Sequence, residues 1–199
     1  MTEQLFDKKA SFFDKWSPNY DLIFTTIFYQ SIHKRLLSYV TLPHPSQVLD
    51  LGCGTGRLLN RLAQKFPDLQ GIGVDLSPQM LKEARQNNQY HPRLIYTKGN
   101  AESLPCANNQ FDAVFNTISF LHYPNPQQVF AEVSRILRPQ GQFYLVDSTL
   151  GPVRSIPFSP GGIHFYSPQQ REDFAQTVGL KCQGHYYLLG RVILSIFNK

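Results

Sequence analysis

Residues 48–56 read Val-Leu-Asp-Leu-Gly-Cys-Gly-Thr-Gly, and no other stretch restricts the fold so tightly. An apolar strand ends on Asp50, and Gly52, Gly54 and Gly56 follow at alternate positions. Glycine enters positive φ without a Cβ penalty and lets a backbone touch a ligand. Leu58, Leu59 and Leu62 then recur at helical spacing, so the turn opens a helix from about Gly56 to Lys65 whose first N–H groups have no partner within it. Such a turn can hold a nucleotide-like ligand edge-on.

A regular alternation runs on either side of this turn. Short apolar strands are expected at 47–51, 71–75, 93–98, 112–117 and 142–147. Between them, helices are expected from Ser77-Pro78 to Gln86 and from Pro126 to Leu137, with a turn over Arg138–Gly141. Strand–helix alternation predicts a mostly parallel sheet wrapped on both faces, a doubly wound α/β fold with its ligand at the carboxyl ends of the strands. Residues 1–45 read as a helical cap rich in aromatics, with helices over Leu5–Trp16 and Thr25–Tyr39 and a break at Ser17-Pro18-Asn19. Residues 46–148 form the ligand-binding core. Residues 149–199 carry a Pro/Gly-rich loop over Leu150–Tyr166, a helix over Pro168–Val178 and two closing strands, 180–187 and 191–197, expected as an antiparallel pair.

The glycine spacing separates two kinds of ligand. A dinucleotide fingerprint requires G-x-G-x-x-G, but counting from Gly52 puts Arg57 at the third glycine and counting from Gly54 puts Leu59 there. A turn led by an acidic residue and lacking that glycine better suits a ligand with a cationic amino-acid end. The pattern Asp50-x-Gly52-x-Gly54-x-Gly56 closely resembles the first motif of the class I S-adenosylmethionine-dependent methyltransferases. Gly73-Val-Asp75-Leu-Ser77, Gly99-Asn-Ala-Glu-Ser-Leu-Pro105 with Phe111-Asp-Ala-Val-Phe115, and Leu137-Arg-Pro-Gln-Gly-Gln-Phe143 resemble the family's later motifs, in order. The pattern is most similar to the small-molecule branch that includes quinone and sterol methyltransferases.

The resemblance implies a Rossmann-like, doubly wound seven-stranded sheet, mostly parallel with an antiparallel last strand. It implies S-adenosylmethionine as methyl donor and S-adenosylhomocysteine as product. Gly52, Cys53 and Gly54 would pack against the cofactor, Asp50 would attract its amino group, and Asp75 would accept from the ribose hydroxyls. Leu76 and Met80 would flank the adenine, with Asn100, Ala101 and Glu102 at its edge. Asn100 departs from the acidic residue frequent there. Asn116 and Thr117 would lie under the methionine portion, with Phe120, Leu121 and His122 beyond. Tyr20 would close over the cofactor from the cap.

Methyl transfer is an in-line displacement that needs alignment and water exclusion, and a base only when the nucleophile arrives protonated. His122 is the candidate base. Phe120, His164 and Tyr166 are candidate contacts to a small, apolar or aromatic acceptor. A non-catalytic cofactor-binding module and an NAD-dependent oxidoreductase are the competing readings.

Composition narrows the partners. The net charge of +5 is spread thinly, with Lys8-Lys9 and Lys34-Arg35 the densest pairs, so no nucleic-acid stripe is expected. No apolar run approaches the ~20 residues of a membrane span, and residues 1–5 lack the basic-then-apolar pattern of a secretory signal. Cys53, Cys106 and Cys182 show no metal-ligand spacing and read as reduced thiols of a cytoplasmic monomer or homodimer, with no metal expected.

Overall fold

The buried strand that carries Asp50 is the third of a seven-stranded sheet, flanked on both sides by other strands. The computed structural model describes residues 2–20, 23–149, 155–156 and 160–199, with side chains at 2, 3, 13, 15–20, 23–26 and 156 outside the description. In chain order the elements are α1 (Thr2–Tyr20), α2 (Ile23–Leu37), β1 (Ser46–Leu51), α3 (Arg57–Lys65), β2 (Leu69–Asp75), α4 (Pro78–Gln86), β3 (Leu94–Lys98) and β4 (Phe111–Thr117). A 3-10 turn (Phe120–His122) leads to α5 (Pro126–Ile136), β5 (Leu137–Ser148), β6 (Ser155–Ile156), β7 (Ile163–His164), α6 (Pro168–Thr177), β8 (Lys181–Leu189) and β9 (Val192–Asn198).

The strand order is β3-β2-β1-β4-β5-β9-β8. The first five strands pair in parallel, and β9 runs antiparallel to both its neighbours, β5 and β8. The expected doubly wound, mostly parallel sheet with an antiparallel last strand is therefore present. Val48, Leu49, Ala113, Val114, Phe115, Phe143 and Leu145 are wholly buried, as a parallel sheet covered on both faces requires. Asp50 and Asn116 interrupt that apolar run at the strand ends, where a ligand can reach them.

Local chemistry sets the helix starts. Ser77 accepts from Met80 N at the head of α4, Asn125 from Gln128 N at α5, and Ser167 joins Gln170 in a reciprocal capping box at α6, each followed by proline. Three expectations need correction. α1 runs through Ser17-Pro18-Asn19 and stops at Tyr20, two residues past the proline, whose missing N–H forfeits one helical bond. The expected turn over Arg138–Gly141 is a bulge within β5: Phe111 pairs with Leu137 and Ala113 with Gln142, so flanking pairs hold while the extra residues loop out. The stretch read as an ordered loop or small lid contains the short antiparallel strand pair β6–β7. Residues 150–154 and 157–159 of that stretch lie outside the described residues. Among the described residues no helix is long and apolar enough to cross a membrane.

Candidate active site

Asp50 is 1% exposed, and both its carboxylate oxygens are buried without a hydrogen-bond partner among the described residues. Burial, reinforced by the negative charge of Asp75, pushes its carboxyl up to about 8. A buried acid with no partner is costly, and a cation entering the turn would offset that cost.

The glycine turn is tied to β2 by three hydrogen bonds. Gly52 N and Cys53 N donate to Val74 O at 2.8 and 3.1 Å, and Gly54 N donates to Asp75 Oδ2 at 2.8 Å. Ser77 N donates to Asp75 Oδ1 at 2.9 Å. Burial raises the Asp75 carboxyl, and these N–H groups oppose the rise. Asp14 of α1 closes over this corner: its Oδ1 accepts from Ser77 Oγ at 2.5 Å and from Gln79 N at 3.2 Å.

β4 supports the turn from beneath. Asn116 Nδ2 lies 2.8 Å from Leu51 O, 2.8 Å from Ser119 Oγ and 3.0 Å from Tyr123 Oη. A Cβ on Gly52 would sit 2.7 Å from Ser119 Cβ and 2.8 Å from Tyr123 Oη, so only glycine fits between the network and the turn. Asp147 of β5 accepts from Leu121 N at 2.8 Å, fixing the 3-10 turn that carries His122.

These elements enclose a cavity of about 340 Å³. Gly52, Gly54, Asp75, Leu76, Met80, Asn100, Ala101 and Thr117 form part of its wall, all expected site residues. Phe6, Lys9 and Phe12 of α1, Phe28 and Tyr29 of α2, Leu121, His122 and Ile163 form another part. Cys53 lines a smaller recess behind the turn with Thr55, Arg57 and His33, and burial raises its thiol far above the reactive range. His122 is pushed down to about 4 by burial and then by the charge of Lys9, so its imidazole is neutral near pH 7.

Other expected site residues lie elsewhere. Phe120 is 1% exposed and packs edge-on against Phe130 and Tyr166, under α5 rather than on the cavity wall. Tyr166 packs between Phe120 and Phe174. His164 bonds Gly161 O at 3.0 Å, and its strand neighbour Ile163 reaches the cavity instead, as two-residue alternation dictates. Glu102 accepts from Asn125 N at 2.9 Å at the head of α5 and is not on the wall, and Asn116 braces the turn from within the core. Asn100 Oδ1 accepts from Glu102 N at 3.0 Å, an Asx-type turn that accounts for asparagine at this position. The side chain of Tyr20 lies outside the described residues.

Lys9 is the main residue that sequence reading missed. It is 4% exposed and lines the cavity. Burial lowers its pKa, and the charge of Glu102 partly counters this. The signal was present in the spacing: Leu5, Phe6, Lys9 and Phe12 share one helical face, and Lys9 is the cation on it.

Comparison with known proteins agrees with this geometry. A family model described as a methyltransferase domain matches residues 48–141. The chain is 32% identical over 190 residues to the malonyl-[acyl-carrier protein] O-methyltransferase of Hahella chejuensis, covering 91% of this chain and 67% of that protein. It is 31% identical over 158 residues to the demethylmenaquinone methyltransferase of Listeria welshimeri, covering 75% and 66% respectively, so the chain spans about two-thirds of each relative. Among solved structures, a chain of the complex between the Haloferax volcanii Trm112 methyltransferase activator and a methyltransferase superposes with a TM-score of 0.83 at 20% identity, covering 94% of this chain and 96% of that one. Relatedness at this level, carried on the same sheet and across the glycine turn, makes this chain a member of the class I S-adenosylmethionine-dependent methyltransferases, similar to the quinone methyltransferases.

Proposed function

We propose that this chain transfers the methyl group of S-adenosylmethionine to a small acceptor with an apolar body and an anionic group. The observation that carries the donor half is Asp50, a buried carboxyl beside a glycine turn with both oxygens unpartnered among the described residues. The donor set fits the cofactor's cationic amino-acid end. Asp50 would hold the amino group, Gly52 and Gly54 would pack against the chain, and Arg57 with the N-terminus of α3 would face the carboxylate from the recess behind the turn. Asp75 keeps lone pairs beyond those given to Gly54 and Ser77 and would accept from the ribose hydroxyls. Leu76, Met80 and Ala101 would flank the adenine. When bound, S-adenosylmethionine supplies a methyl already activated by positive sulfur.

The protein's part in the transfer is alignment and exclusion of water. Phe6, Phe12, Phe28, Leu121 and Ile163 make that part of the cavity wall apolar. Lys9 lies among them and would hold an anion on the acceptor. Neutral His122 can accept a proton from a protonated nucleophile, and an acceptor that attacks through an ionised oxygen needs no base. A carboxylated acceptor is in keeping with the name of the Hahella relative, and a flat apolar one with that of the Listeria relative.

Methyl-transfer assays with acceptors paired as carboxylate and neutral amide test the acceptor half. Wild type should prefer the carboxylate by ~10-fold or more, the worth of one charge-assisted bond. Lys9→Met should abolish that preference while retaining cofactor affinity. Equal use of both acceptors by wild type would contradict the anionic group without touching the donor assignment.

A further inference from the structure

The far edge of the sheet carries a second cluster. His185 Nε2 lies 2.9 Å from Glu172 Oε1 and 3.5 Å from Cys182 Sγ, and one ligand atom from each residue falls within 4.8 Å of the others. In a regular strand Cys182 and His185 would face opposite sides. They share a side because β8 is bulged: Cys182 pairs with Phe197, Gly184 with Ile196 and His185 with Ser195, leaving Gln183 as the extra residue. Gly184 holds φ at +151, and a Cβ there would sit 2.9 Å from the Tyr186 hydroxyl, so the bulge depends on glycine. Glu172 reaches the same spot from α6.

We propose that Glu172, Cys182 and His185 form a binding site for a divalent metal ion of the zinc class, separate from the methyl-transfer cleft. Tetrahedral zinc, with Zn–S of about 2.3 Å and Zn–N of about 2.0–2.1 Å, places sulfur and nitrogen roughly 3.5 Å apart. Cys182 and His185 already stand at that separation. A thiolate and a carboxylate bring two negative charges to a dication, and the thiol proton leaves to solvent on binding. The outer shell is also in place. His185 Nδ1 is 2.9 Å from Ser195 Oγ, which also accepts from Arg171 Nη1 at 3.1 Å. With two lone pairs, that oxygen can accept from Nδ1–H as well, which turns the Nε2 lone pair toward Cys182 and Glu172. The side chains of His185 and Glu172 are 18% and 33% exposed, so water can complete the coordination. The ion would pin α6 to β8 at the outer edge of the sheet, beyond β5 and β9 from the cleft.

Titration of chelator-treated protein with cobalt(II) chloride tests this. One ion per chain should bind, with a thiolate-to-cobalt charge-transfer band that zinc then erases. Cys182→Ser should lose the band, and His185→Asn and Glu172→Gln should weaken cobalt binding at least ~10-fold, with S-adenosylmethionine affinity unchanged in all three. Independently of any variant, zinc should slow alkylation of Cys182 in the wild-type chain, read by mass spectrometry. Absence of a saturable band, a band that persists in folded Cys182→Ser, or alkylation of Cys182 at the same rate with and without zinc would overturn the proposal.

Discussion

Gly54 donates its N–H to Asp75 Oδ2 across 2.8 Å, joining the turn after β1 to the acid at the end of β2. One carboxylate therefore orders the glycine turn and faces the proposed ribose position. Asp75→Ala removes both functions and should weaken S-adenosylmethionine binding by ~10-fold or more, measured by calorimetry. Asp75→Asn keeps an oxygen for Gly54 N and should fall between the two. Unchanged affinity in folded Asp75→Ala would remove Asp75 from the ribose site.

Asp50 should link cofactor binding to pH. Its carboxyl titrates at about 8 in the folded chain against an ordinary value of 3.8. Between these values the unfolded chain has released the proton and the folded chain has kept it, so stability falls as pH rises through the window. Asp50→Asn deletes that penalty, and its unliganded Tm should exceed wild type by a margin that grows toward pH 8. A cationic ligand draws the proton off Asp50, so wild-type affinity should rise with pH up to about 8, by at most about tenfold per unit. Asp50→Asn should lose both that slope and affinity. Equal affinity for cofactor in the two proteins would exclude the amino-group contact.

Gly52 and Gly54 should fail in different ways. A methyl group at Gly52 collides with Ser119 and Tyr123, so Gly52→Ala should lower stability by ~1–3 kcal/mol, read in thermal melts. A Cβ at Gly54 meets no atom within 4 Å and points into open space. Gly54→Ala should cost only the ~1–2 kcal/mol of a left-handed backbone, yet lose cofactor affinity disproportionately. Full cofactor affinity in Gly54→Ala would contradict close backbone approach by the ligand.

His122 should leave no inflection near neutral pH. Burial and Lys9 hold it at about 4, against an ordinary 6.5. His122→Ala should slow turnover while cofactor affinity holds, and wild-type kcat/KM should show no His122-dependent limb between pH 6 and 8. A limb near 6.5 in kcat/KM that vanishes in the variant would contradict a neutral, buried imidazole in the free enzyme.

Much of this arrangement was readable from the chain. The caps at Ser77, Asn125 and Ser167 are local, and the strands announce themselves because a sheet covered on both faces tolerates few polar residues. The order Asp50, glycine turn, Asp75 is also local to two neighbouring strands. What escaped depends on distant partners. Asp14 meets Ser77 across 63 residues and Asn116 meets Leu51 across 65, and no periodicity encodes either. Glu102 was expected at a ligand but serves the start of α5, a choice made by the fold around it. Cys182 and His185 share a face only because of a one-residue bulge, which spacing in a regular strand argues against.

Calorimetric titration of the purified chain with S-adenosylmethionine, S-adenosylhomocysteine and NAD in parallel addresses the donor site most directly. With the Asp50 carboxyl unpartnered among the described residues beside the glycine turn, saturable binding of S-adenosylmethionine and its demethylated product is expected, with no heat from NAD. Binding of NAD alone, or of none of the three by the folded chain, would contradict the assignment of this cleft to a methyl donor.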